Sequence, residues 1–158
     1  MILSFLFVIT LLVCLDQYTK SVVATLLIIN NPKEVIPNFF YLNHVENTGA
    51  AWSIMEGKQT FFIIISFIAL IVFVYMLYKE KDKGLLNVSS YLLIIGGTIG
   101  NLIDRIRNGC VVDFLDFKIF GYDFPVFNIA DCFLTIGVFL YVIAFIEETK
   151  NDKNKANS

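Results

Sequence analysis

Two aspartates, Asp113 and Asp131, stand eighteen residues apart between the last two apolar stretches of a 158-residue chain. Val111-Val112 and Phe114 surround Asp113 with apolar bulk, and Asp131 opens an uncharged run that reaches Ile146. A carboxylate in or beside lipid is costly, so it implies a compensating role. Two that converge can share one proton, and apolar surroundings help one of them keep it, which is the arrangement needed for general acid–base chemistry. Charge and spacing alone leave Asp116 and Asp123 as rivals. They also allow a plainer reading, in which the two carboxylates are unrelated and Asp131 is merely favoured at a helix N-terminus.

Other polar residues fall where apolar ones would be ordinary. Asp16 and Lys20 are four apart, share a helix face and can pair. Asn101, Asp104 and Arg105 close the third apolar run at spacings of three and four. Either they face water at a helix end, or Arg105 offers its fork of donors to a substrate carbonyl with Asp104 orienting it. Asn47, followed by Thr48-Gly49, is a turn residue or an amide offering both donor and acceptor. Cys14, Cys110 and Cys132 lack metal-ligand spacing, and the single histidine, His44, is remote from them in sequence. No metal site and no disulfide framework is expected, and the three thiols are read as packing groups.

The elements that must hold these residues are membrane spans. Hydrophobic residues make up 57% of the chain, against about 45–50% in soluble domains. Charged residues are only 16%, against about 25%. The mean hydropathy is +0.72. The net charge of -2 is too small to indicate partners, and no basic stripe points to nucleic acid, so no nucleic-acid partner is expected. Runs of about 20 apolar residues mark spanning helices, here at about 2–29, 61–78, 85–103 and 127–146. The expected fold is an all-α membrane protein of four transmembrane helices with a small extracytoplasmic β-rich loop region between the first two helices. Residues 1–150 form one domain, and 151–158 form a short polar tail. Gly96 and Gly100 give the third helix a small-residue face for close helix contact.

Four spans put both termini on one side. Lysines and arginines divide six to six between the two sides, so the positive-inside count is a tie. The compact turn Lys79-Glu80-Lys81-Asp82-Lys83 decides for a cytoplasmic location of the termini. Residues 30–59 form the long outer connection. Pro32, Pro37 and the alternation around Phe39-Phe40-Tyr41-Leu42 predict short strands and turns there. Residues 108–126 look similar, with aromatics suited to a membrane interface. The first apolar run has no basic residue ahead of it and a large Val13 before Cys14, so it reads as a retained helix and not as a cleaved leader.

In order along the chain, Asp16-Gln17-Tyr18-Thr19-Lys20, Asn47-Thr48-Gly49-Ala50-Ala51-Trp52, Gly100-Asn101-Leu102-Ile103-Asp104-Arg105, Val111-Val112-Asp113-Phe114 and Phe127-Asn128-Ile129-Ala130-Asp131 resemble the motifs of lipoprotein signal peptidases, the bacterial type II signal peptidases. Trp52, where Phe is common, and Cys132, where Ser is common, depart from the pattern without touching a charged group. The resemblance implies a membrane aspartic peptidase of the bacterial cell membrane with its site near the outer face. It implies Asp113 and Asp131 as the catalytic pair. Asn47, Asn101, Arg105 and Asn128 would hold substrate or orient the pair, with Asp16, Lys20 and Asp104 in support. The implied substrate is a diacylglyceryl-modified prolipoprotein, cut just before the lipidated cysteine. Globomycin-type lipopeptides are the implied inhibitors, no cofactor is implied, and a monomer is the expectation. The competing reading is a small transporter or channel subunit, with Asp16, Lys20, Asp113 and Asp131 forming a polar relay through the bilayer.

Overall fold

The computed structural model describes residues 1–50 and 54–156, with backbone alone at 152 and 154–156. Four long helices carry the chain: α1 (Ile2–Leu26), α2 (Gln59–Glu80), α3 (Leu85–Asn108) and α4 (Ile129–Ala156). All four are long and apolar enough to cross a bilayer. Two strands, β1 (Lys33–Ile36) and β2 (Phe40–Asn47), lie between α1 and α2, and two more, β3 (Val111–Ile119) and β4 (Tyr122–Asp123), lie between α3 and α4. They join into one antiparallel sheet in the order β1-β2-β3-β4. The fold is the expected four-helix membrane protein, with half of the small sheet supplied by the third connection.

The helices differ in what they face. α1 and α2 present large apolar side chains outward, among them Leu3, Phe7, Ile71 and Tyr75. Such a surface suits lipid and not water. α3 is the buried helix, packed by α1, α2 and α4 in turn. Its small residues make that possible. A Cβ at Gly97 would stand 2.5 Å from the Ala130 carbonyl oxygen, and one at Gly100 would stand 2.5 Å from Asp16 Oδ2. Gly96 meets Leu12 of α1 in the same way. Backbones therefore approach as the small-residue face predicts.

The helix ends depart from the limits of the apolar runs, each for a local reason. α1 stops at Leu26, three residues early, because Leu27 turns extended and Ile29 pairs with His44 of β2. α3 runs past Ile103 to Asn108, carrying Asp104 and Arg105 inside the helix. It ends where Gly109 takes a left-handed φ of 72° and returns its N–H to the Arg105 carbonyl, a common helix stop. α4 continues from the apolar run into the polar stretch as far as Ala156. Cys14 lies exposed on the outward face of α1 and is not packed in the interior.

Because β1–β2 leave the end of α1 and enter α2, while β3–β4 leave α3 and enter α4, the whole sheet sits at one end of the bundle. It is anchored there by Val112 and Phe114 packing on Val23 of α1. The pairing of β2 with β3 shifts register between Leu42 and Val45, which match Leu115 and Asp113 respectively. One extra residue on β2 is accommodated in that interval, as in a β-bulge.

Candidate active site

The bulge decides which side chain of β2 meets Asp113. In register, Val45 opposes Asp113 and Asn47 opposes Val111, so Asn47 and Asp113 are diagonal neighbours on one face of the sheet. Without the extra residue, Glu46 would take that place and set a third carboxylate beside the site. Instead Asn47 Nδ2 donates to Asp113 Oδ2 at 2.8 Å. The amide cannot turn round, because Asn47 Oδ1 accepts the Gly49 N–H at 2.8 Å in an Asx turn.

Asp131 is placed by a helix cap. Asn128 Oδ1 accepts the Asp131 N–H at 3.0 Å, and Asp131 Oδ2 accepts the Asn128 N–H at 3.1 Å. This is the reciprocal logic of a capping box, with Asp in the third helical position. Capping fixes the Asn128 amide, so its Nδ2 points away from α4. It donates to Asp113 Oδ1 at 2.6 Å and to Asn101 Oδ1 at 3.2 Å. Asn128, fully buried, thus ties the two aspartates together: Asp113 through its side chain and Asp131 through its backbone.

A third amide is oriented by charge. Lys20 Nζ donates to Asn101 Oδ1 at 2.8 Å, which turns Asn101 Nδ2 onto Asp131 Oδ1, also at 2.8 Å. The other two Lys20 N–H groups meet Asp16 Oδ2 and Asp104 Oδ2, both at 2.9 Å. All three donors of the ammonium are therefore satisfied, as burial requires. Asp16 Oδ1 accepts the Ala130 N–H at 3.0 Å, satisfying another donor in the first turn of α4. Asp104 Oδ2 also accepts the Val112 N–H at 3.3 Å, holding the start of β3. Asp104 is therefore joined to Lys20 and β3, while the hydrogen bond of Arg105 goes to the Gly49 carbonyl.

Gln17 is the member of this cluster that sequence reasoning did not single out. Its Nε2 reaches Asp104 Oδ1 at 2.9 Å, the Gly100 carbonyl at 3.1 Å and Asp16 Oδ2 at 3.2 Å, stitching α1 to α3. The signal available was an uncharged amide inside an apolar run, next to Asp16.

Between α2, α3 and α4 lies a cavity of about 560 Å³, lined by Asn47, Asn101, Arg105, Asp113 and Asp131 at its polar end. Its apolar wall descends along α2 and α4 to Ala69 and Leu134. Arg105 lies over the Phe62 ring at 4.6 Å. Its Nη1 is buried and has no partner among the described residues, which leaves a charged donor inside the cavity. Burial, and then the charge of Asp131, push the Asp113 carboxyl up to about 7. Asp116 takes a hydrogen bond from Asn43, and the exposed Asp123 pairs with Lys118; neither lines this cavity. Ala51 and Trp52, the last residues of the Asn47 motif, lie outside the described residues. Among the described residues, no group of three or more His, Cys, Asp or Glu side chains is placed to hold a metal.

The family model described as "Signal peptidase (SPase) II" matches residues 8–147. The chain belongs to the signal peptidase II family. A "Lipoprotein signal peptidase" of Staphylococcus aureus is 50% identical over 143 residues, 90% of this chain and 88% of that one. The same protein from Staphylococcus aureus strain JH9 matches equally. A solved "Bacterial membrane enzyme structure by the in meso method at 2.3 A resolution" superposes with a TM-score of 0.87 at 46% identity, covering 94% of this chain and 90% of that one. A second, at 1.9 Å resolution, gives 0.81 at 46% identity over 90% and 92%. Signal peptidase II membership makes the chain a multi-pass membrane peptidase with lipoprotein signal peptidase function, as its motifs implied.

Proposed function

We propose that this chain is a membrane aspartic endopeptidase that frees a diacylglyceryl-modified prolipoprotein of its signal peptide by cutting just before the lipidated cysteine. The observation that carries the mechanism is the bridge made by Asn128, which gathers Asp113 and Asp131 at the mouth of one cavity. Asp113, with its carboxyl raised to about 7, holds the shared proton. Asp131, in the first turn of α4, is the ionised partner, where the helix dipole favours a negative charge.

A water between the carboxyls gives a proton to Asp131 as its oxygen attacks the scissile carbonyl. Asp113 passes its proton to the developing oxyanion. Collapse of the tetrahedral species returns that proton to Asp113, and Asp131 delivers its own to the leaving amine. Both carboxyls end as they began, and no covalent intermediate forms. Arg105, through its unpartnered Nη1, and Asn47 hold the substrate backbone across the cavity. Asn101 and Asn128 keep the pair aligned, and Asp16, Lys20 and Asp104 hold those amides in turn.

The termini lie in the cytoplasm and the site opens at the outer face. There, two acyl chains keep the substrate cysteine at interfacial depth. The 30–59 connection covers the peptide while the acyl chains remain in lipid. Globomycin-type lipopeptides occupy the same groove. A polar relay for transport fits less well, since the middle stretches of α2, α3 and α4 carry no charged residue. The test uses purified protein in lipid with one prolipoprotein, diacylated or not, and maps the cut by mass spectrometry. Efficient cleavage before the cysteine is expected only with the lipid present. Equal cleavage of the unlipidated form would contradict it.

A further inference from the structure

A second cavity, of about 190 Å³, meets the active-site cavity along an edge of four shared residues: Asn47, Asp113, Pro125 and Val126. Asp113 therefore borders both. The larger cavity is mostly apolar and runs down α2 and α4. The smaller one is walled by the end of β2 and by the turn before α2, which bring Thr48 and Glu56 to it.

That turn is folded back onto the end of β2. The Gly57 N–H donates to the Thr48 carbonyl at 3.2 Å, and the Ala50 N–H donates to the Ile54 carbonyl at 2.9 Å. Met55 and Gly57, on either side of Glu56, both take a left-handed φ, 57° and 76°. The reversal sets Glu56 across from Thr48, whose hydroxyl donates to its Oε1 at 3.4 Å. This is a long contact, and among the described residues Glu56 has no cationic partner. Glu46 also borders the cavity, but it pairs with Val112. Successive strand residues alternate between faces, so its side chain is directed to the face of the sheet opposite Asn47 and Asp113.

A peptidase handles chain on both sides of the bond it cuts. The apolar cavity suits the apolar stretch of a signal peptide. The residues beyond the cut must leave past Asp113 by another way, and the smaller cavity begins there. Thr48 directly follows Asn47, whose amide is on Asp113 at 2.8 Å. Two residues of extended chain advance about 7 Å. The second and third residues after the cut are then the ones that reach Thr48 and Glu56.

We propose that Thr48 and Glu56 form a subsite for the second and third residues after the cut, where Glu56 favours basic side chains and rejects acidic ones. This rests on the peptidase reading above. A lysine or arginine there meets a carboxylate that lacks a counter-ion, and an aspartate or glutamate meets a like charge.

The test uses full-length protein in vesicles of zwitterionic lipid, so that the surface itself does not sort the substrates by charge. Two diacylated prolipoproteins differ only in carrying lysine or glutamate at the second and third positions after the cut. Wild type is expected to show a kcat/KM about three- to tenfold higher for the lysine substrate, the size expected of exposed charges. High salt should narrow that ratio. Glu56→Gln should bring it close to one, and Glu56→Lys should invert it. Because each is a ratio within one variant, a partly unfolded preparation does not disturb it. Glu46→Gln should keep the wild-type ratio. An unchanged ratio in Glu56→Gln and Glu56→Lys, or its loss in Glu46→Gln alone, would overturn the subsite. Failure of wild type to cut either substrate would overturn the peptidase reading, and the subsite with it.

Discussion

Removing the charge of Lys20 leaves Asp16 and Asp104 as neighbouring buried carboxylates without a counter-ion. Breaking a buried ion pair by deleting one partner typically costs about 3–5 kcal/mol. Lys20→Met is therefore expected to lower stability by about that much in a denaturation series, and to lose activity through Asn101, whose amide Lys20 orients. The pH dependence belongs to Asp113. Its carboxyl is raised to about 7 by burial and by Asp131, so it keeps its proton below that pH and loses it above. In the proposed mechanism the protonated form assists the oxyanion, so kcat/KM for a diacylated substrate should fall as pH rises through about 7. A flat profile from pH 5 to 9 would contradict the assignment of the proton to Asp113. At this scale the sequence showed Asp16 with Lys20 plainly, because a spacing of four on a helix is a geometric fact. It could not show that Asp104 completes the triad with Lys20, because that contact joins two helices 84 residues apart.

The elements aim the amides. Asn128 caps α4 and in doing so turns its Nδ2 onto Asp113. Asn128→Ala loses a cap worth about 1 kcal/mol. It also removes the side-chain link from Asp113 to the turn that bears Asp131. The expected outcome is a modest loss of thermal stability with a fall of at least tenfold in kcat and little change in KM. A pure stability effect, with kcat restored at lower temperature, would reduce Asn128 to a structural cap. The four helices were legible as apolar runs, and their ends were read less well, since Gly109 and Leu27 stop helices by local backbone geometry that hydropathy does not carry. Strands were legible in the 30–59 and 108–126 connections. Their joining into one sheet, and the bulge that selects Asn47 over Glu46, depend on pairing across most of the chain.

Across the whole molecule, five elements converge on one point: α1 brings the ion cluster, β2 and β3 bring Asn47 and Asp113, α3 brings Asn101 and Arg105, and α4 brings Asp131. α3 can sit at the centre only because its glycines let α1 and α4 close on it. The motifs were visible in sequence as separate polar islands, and their resemblance to one family anticipated the convergence that spacing could not. The central claim is that Asp113 and Asp131 act as one unit. The most direct measurement is single-turnover cleavage of a diacylated prolipoprotein by wild type, Asp113→Asn and Asp131→Asn, each shown to be folded. Each variant should lose at least about 10³-fold in rate, and the double variant should be little worse than either single one, as for groups that act together. Cleavage by either single variant within tenfold of wild type would contradict the pair.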